Sequence, residues 1–156
     1  MEETAQTYLN RYLASLNAQD TARYISFSCD YFCADQYNAD LCASLIKQGV
    51  KTATCSLAHW YQAEGESMPT VGHLQVVTDW QGQPHCIIEI THVELCRYCD
   101  VTDEFAALEG EGDKTLGWWR EAHWAFFSQE CDGLGIKPDQ TMMLVLERFK
   151  VVYCEG

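Results

Sequence analysis

Lys51 and Thr54 lie three residues apart in Gly49-Val50-Lys51-Thr52-Ala53-Thr54, where a turn signal gives way to a β-branched, apolar run. A lysine that opens a strand after a glycine can point into a cleft. Partial burial there lowers its pKa until it acts as a base near neutral pH. A threonine hydroxyl is a weak nucleophile until a base takes its proton. Together the two side chains make an acyl-transfer pair, under one condition. Residues three apart in a regular strand face opposite sides, so the pair shares a site only if Lys51 lies ahead of the strand or a bulge intervenes. The plainer alternative is a solvated lysine at a strand edge and a threonine chosen for its β propensity.

A carboxylate beside such a lysine completes a set of nucleophile, base and acid. The acidic run Asp103, Glu104, Glu109, Glu111 and Asp113 reads first as a solvated helix face and turn. Glu109 stands apart because Gly110 and Gly112 follow it, and glycines allow close backbone approach. Further on, Trp118-Trp119-Arg120-Glu121-Ala122-His123-Trp124 carries aromatics all round a helix. That pattern marks a core, or else a stacking wall for a nucleobase, with Arg120 or His123 supplying polar contacts. Cys96-Arg97-Tyr98-Cys99 has zinc-finger spacing, with Cys29 and Cys33 as conceivable partners. A structural zinc site needs four ligands at suitable spacings, and no second Cys-x-x-Cys exists. No metal or other cofactor is called for.

The elements that position these residues read as helices, strands, helices and a long final strand. Ala5, Tyr8, Leu9, Tyr12, Leu13 and Leu16 form one apolar stripe on a helix over 2–16. The stretch 17–37 has no clean period and reads as loop with short turns. A helix over 39–48 has Asn38 as its cap and Gly49 just past its end. Strands are expected over 50–57, 72–78, 86–95 and 142–153, with Gln81-Gly82-Gln83-Pro84 as a hairpin turn. Helices are expected over 102–108, capped by Thr102, and over 116–131. This order is not regular βαβ alternation. It predicts an α+β fold in which helices flank a mostly antiparallel sheet or small barrel. No repeat, low-complexity tract or linker interrupts the chain, so a single domain over 1–156 is expected.

The chain has 156 residues, 47% of them hydrophobic, enough for a sizeable core. No apolar run approaches the roughly 20 residues that span a membrane. The opening Met1-Glu2-Glu3-Thr4 lacks a basic start and an apolar segment, so a signal peptide is not expected. Nine cysteines in such a chain are expected to be reduced thiols of a cytoplasmic protein, mostly core filler. The formal charge of −13 repels polyanions, which disfavours non-specific RNA binding and suits a small neutral ligand in a local pocket.

At Gly49-x-Lys51-x-x-Thr54 the chain resembles the ASCH domain family, related to the RNA-binding PUA fold. The likeness to longer bacterial members extends through Glu64-Gly65-Glu66-Ser67-Met68-Pro69-Thr70-Val71-Gly72, Val101-Thr102-Asp103-Glu104-Phe105-Ala106, Glu109-Gly110-Glu111-Gly112-Asp113, Trp119-Arg120-x-x-His123 and Glu147-Arg148-Phe149. It covers about residue 35 to the C-terminus. The resemblance implies a PUA-like small, mostly antiparallel β-barrel flanked by helices, with residues 1–37 as an N-terminal helical extension. One shorter branch resembles amidohydrolases that deacetylate N4-acetylcytidine. Carried over, Thr54 is the nucleophile, Lys51 the base and Glu109 the acid; Trp119, Arg120 and His123 remain the expected substrate contacts from the reading of the aromatic helix. Another branch is linked to metal-dependent cleavage of single-stranded RNA, and other members are described as RNA-binding. The wider pattern often has Arg two residues after the threonine, where this chain has Ser56. The expected function is therefore hydrolysis of an acylated nucleoside, with RNA binding or ribonuclease activity as the alternative. The expected partner is a small nucleoside-like ligand or RNA, not a membrane. The oligomeric state is left open between monomer and homodimer. Replacing Lys51 with Ala is expected to abolish turnover and leave folding nearly intact.

Overall fold

The computed structural model describes residues 2–155. The chain forms α1 (Glu3–Ala14), α2 (Ala18–Arg23), β1 (Phe27–Asp30), α3 (Gln36–Lys47), β2 (Ala53–Leu57) and α4 (Ala58–Glu64). Then follow β3 (Leu74–Thr78), β4 (Pro84–Arg97), a 3-10 turn (Tyr98–Asp100), α5 (Asp103–Glu109), α6 (Leu116–Leu134) and β5 (Met143–Tyr153). The five strands make one mixed sheet in the order β1-β3-β4-β5-β2. β1 pairs parallel with β3, while β3–β4 and β2–β5 are antiparallel.

The α+β class is as expected, but the barrel is not closed. The sheet ends on β1 and β2, strands of four and five residues that each pair on one side only. Edges this short carry few unsatisfied backbone groups, so closure is not required to protect them. The segment 17–37 is also more ordered than its sequence suggests. It holds α2, whose cap Asn17 accepts from the Asp20 N–H, and all of β1. The first residues of α3 belong to it as well. Asp35, not Asn38, caps α3, accepting from the Asn38 N–H at 2.9 Å.

The packing divides the chain into two compact units, Met1–Val50 with Thr70–Thr91 and Phe149–Gly156, and Lys51–Pro69 with His92–Arg148. In the first, the α1 stripe of Ala5, Tyr8, Leu9 and Tyr12 packs on Leu74, Val76 and Ile87. In the second, Phe105 of α5 and Trp119, Phe127 and Cys131 of α6 pack on Ala53 and Leu57 of β2 and Leu144 and Leu146 of β5. Every residue of the candidate site belongs to this second unit.

Candidate functional site

α3 ends in a Schellman arrangement. Val50 N–H donates to Leu45 C=O at 2.9 Å and Gly49 N–H to Ile46 C=O at 3.0 Å, with Gly49 at φ +78°. Only glycine adopts this left-handed conformation without a steric cost. The turn frees the chain for Lys51, which precedes β2 rather than lying in it. Thr52 fastens the segment to the end of α5, its N–H donating to Leu108 C=O at 2.8 Å. Thr102 caps the start of α5, and Glu109 is its last residue.

This places an ammonium among carboxylates. Lys51 is 2% exposed and its Nζ donates to Ala53 C=O at 2.8 Å. Its carboxylate partners are Glu111 Oε2 at 3.0 Å and Glu109 Oε1 at 3.4 Å. A cation taken out of water needs such partners, because an unpaired buried charge is neutralised or excluded. Glu109 is 1% exposed and is the hub of the group. Its second oxygen, Oε2, accepts from the Trp119 indole Nε1, faces His123 Nε2 at 3.1 Å, and accepts from Cys55 Sγ at 3.7 Å. Trp119 and His123 lie one turn apart on α6, so they share a helix face. Their rings stack with centroids 4.3 Å apart. His123 Nδ1 lies 2.8 Å from the Trp119 carbonyl.

The electrostatics follow from these partners. Burial pushes the Glu109 carboxyl up, but the Lys51 charge and the His123 and Trp119 hydrogen bonds outweigh it and hold the pKa down at about 2. Burial, reinforced by the Glu109 charge, pushes the Cys55 thiol well up, so it stays S–H. Across the strand pair, Glu147 has the opposite fate. Burial raises its carboxyl to about 7 against the weaker pull of Lys51.

The structure thus gathers Lys51, Glu109, Trp119 and His123. It does not bring Arg120 with them. Arg120 is exposed, and its guanidinium lies 3.5 Å from the Cys99 carbonyl. One residue along a helix turns a side chain by about 100°, so Arg120 cannot share the face of Trp119. Thr54 lies on the face of β2 away from Cys55, in register with Glu147. Its hydroxyl makes no hydrogen bond among the described residues. Cys96 and Cys99 donate to the Arg97 carbonyl and the Asp100 carboxylate, and among the described residues neither joins a metal-competent group. Among the described residues, Cys55, Glu109 and His123 of this unit are close enough to hold a metal, all within 4.8 Å of one another.

Sequence reasoning missed Cys55 and Glu147. Cys55 reads as apolar filler in a strand, and only the packing of α5 and α6 shows what it faces. Glu147 opens a motif of the resemblance, but its place opposite Thr54 depends on strand register.

The ASCH domain family model matches residues 28–153. The crystal structure of an ASCH domain from Lactobacillus crispatus JV V101 is similar at 59% identity. It aligns over 98% of this chain and 96% of that one, with a TM-score of 0.96. The crystal structure of a protein from Enterococcus faecalis V583 is similar at 30% identity. The alignment covers 94% of this chain and 84% of that one, with a TM-score of 0.77. No curated protein matches the chain significantly.

Proposed function

The chain belongs to the ASCH domain family, and on that footing we propose that it is an amidohydrolase that deacylates a modified nucleoside such as N4-acetylcytidine. The observation that carries this reading is the buried Lys51 ammonium held between Glu109 and Glu111, on the segment that runs into Thr54. In the resting state Lys51 is charged and Glu109 ionised. A proton passes from Lys51 to Glu109, leaving a neutral amine. Thr54 Oγ1 attacks the amide carbonyl and gives its proton to Lys51, whose renewed positive charge stabilises the oxyanion. The tetrahedral intermediate collapses as Glu109 protonates the leaving amine. Water then hydrolyses the acyl-Thr54 ester through the same relay, and both groups return to their resting states. A neutral nucleoside suits a chain of net charge −13 better than a polyanion does.

The test is conversion of N4-acetylcytidine to cytidine, followed chromatographically for the native protein and for Thr54→Val and Glu109→Gln. The expected result is turnover that disappears in both variants. Turnover unchanged in Thr54→Val removes the nucleophile from the scheme. No turnover by the native protein, together with chelator-sensitive cleavage of single-stranded RNA, replaces this reading with a ribonuclease.

A further inference from the structure

We infer that Cys55, Glu109 and His123 form a binding site for a tetrahedral transition-metal ion of the zinc class, a thiolate, carboxylate and imidazole set with its fourth position open. Three donor types favoured by zinc converge on one point. Two are on α5 and α6, and the third is on β2, packed beneath them. With Zn–S near 2.3 Å and Zn–N or Zn–O near 2.0–2.2 Å, a tetrahedral ion holds its ligand atoms about 3.3–3.6 Å apart. The observed separations are 3.1 Å between His123 Nε2 and Glu109 Oε2, and 3.7 Å between Cys55 Sγ and the same oxygen. These two pairs need shifts of only a few tenths of an ångström, and the Cys55 and His123 donors, which lie within 4.8 Å of each other, close by about 1 Å at most.

The surroundings are those of a supported metal site. A carbonyl oxygen only accepts, so the 2.8 Å contact to the Trp119 carbonyl makes Nδ1 the protonated nitrogen of His123. Nε2 is then the nitrogen turned to Glu109. A histidine that binds metal through one nitrogen and donates from the other to a backbone carbonyl is the usual outer-shell arrangement. Glu109 is anchored in the same way, with the Trp119 indole donating to Oε2 and Lys51 occupying Oε1. In the free protein the N–H of Trp119, the S–H of Cys55 and His123 Nε2 all address the single oxygen Oε2. An oxygen offers two lone pairs, so these groups crowd it. An ion bound there displaces the Cys55 proton and any proton on Nε2, and it leaves the Trp119 bond in place. The site reaches solvent at His123, whose side chain is 14% exposed.

This inference rests on the geometry of the cluster and not on the hydrolase scheme. The test is a cobalt(II) titration of the full chain, reduced with a phosphine and freed of metal by a chelator that is then removed. The expected result is a thiolate-to-cobalt charge-transfer band with intense tetrahedral d–d absorption, saturating at one equivalent and displaced by zinc. Both features should be lost in Cys55→Ala and in His123→Gln. Circular dichroism checks that each variant is folded, and Cys55→Ser serves if Cys55→Ala is not. The absence of these bands in the native protein overturns the inference. So does their persistence in the Cys55 variant, which would locate the metal at other cysteines. The readout is spectroscopic, so it stands whether or not the protein hydrolyses an acylated nucleoside.

Discussion

Thr54 and Cys55 are neighbours in β2, yet their side chains project from opposite faces, and the carboxylates beside them, Glu147 in register with Thr54 and Glu109 at Cys55, are held in opposite states. On the Cys55 face Glu109 is buried with a lysine, an indole N–H and an imidazole around it, and its pKa lies at about 2. On the Thr54 face Glu147 is also withdrawn from water but has no hydrogen-bond donor among the described residues, and its pKa rises to about 7. Burial alone raises both groups. Partners decide which one remains an anion.

The largest test of the contrast removes the cation. Because Lys51 is 2% exposed and paired, replacing it should not leave folding nearly intact, as the sequence alone suggests. Lys51→Met takes the lysine partner from a buried carboxylate and leaves Trp119 and His123 beside it, and breaking such a pair costs about 3–5 kcal/mol. The double variant Lys51→Met/Glu109→Gln should be the more stable of the two, because it also removes the carboxylate charge. Denaturant midpoints measure both. Equal destabilisation in the single and double variants would show that Glu109 does not depend on Lys51. The same partners set the acid limb. Glu109 has a folded pKa below its unfolded value near 4.3. Its contribution, about 3 kcal/mol for a shift of roughly two units, is present above pH 4.3 and is lost as pH falls towards 2. Glu109→Gln should flatten the stability profile over that window.

Glu147 sharpens the comparison with the reverse sign. Its folded pKa lies above the unfolded value, so the folded state holds a proton that the unfolded state has lost. Stability is then greatest below about pH 4.3 and declines as pH rises through about 7. Glu147→Gln removes this penalty. It should match the native protein at pH 4 and exceed it by about 1–3 kcal/mol at pH 8, allowing for residual solvent around a half-buried group. A variant no more stable at pH 8 than at pH 4, relative to native, would mean that Glu147 is solvated and ionised throughout.

How much of this could be read in the sequence differs between the two faces. The stripe of α1, the Thr102 cap and four of the five strands follow from local pattern, because each is a period or an end signal carried by the residues themselves. β1 is not legible. Its four residues owe their state to parallel pairing with β3, 47 residues away in sequence (Phe27 with Leu74). α4 is hidden because it follows β2 directly, with Leu57 at its cap and no capping side chain. Lys51 and Glu109 were accessible through motif resemblance, and Trp119 and His123 through their spacing on α6. Arg120 lies apart from them because a motif names neighbours and does not say which way a helix turns them. Cys55 and Glu147 needed the packing and the strand register.

Gly112 tests the turn that delivers Glu111 to Lys51. Its φ is +59°, and a Cβ there would lie 2.1 Å from the Trp118 ring. Gly112→Ala must displace that exposed ring and adopt a left-handed backbone, which costs about 1–2 kcal/mol. The loss should be measurable in denaturant. It should be smaller than that of Lys51→Met, because Glu109 keeps its ion pair. A loss as large as that of Lys51→Met would mean that the turn, not the lysine, secures Glu109.

The smallest expected change in stability is at Thr54, and its smallness is what makes it informative. The hydroxyl makes no hydrogen bond among the described residues, and valine keeps the shape and the β-branching that a strand favours. Thr54→Val should therefore shift stability by no more than about 0.5 kcal/mol, the usual range for substitutions that remove no buried partner. In the hydrolase scheme the same substitution deletes the attacking atom, so deacylation should vanish from a protein whose unfolding curve is unchanged. On the other face the effects are tied together. Glu109 secures Lys51 and serves the relay, so no change there can separate folding from chemistry. A marked loss of stability in Thr54→Val would place its hydroxyl in a structural contact and return the Thr54 face to the role of scaffold.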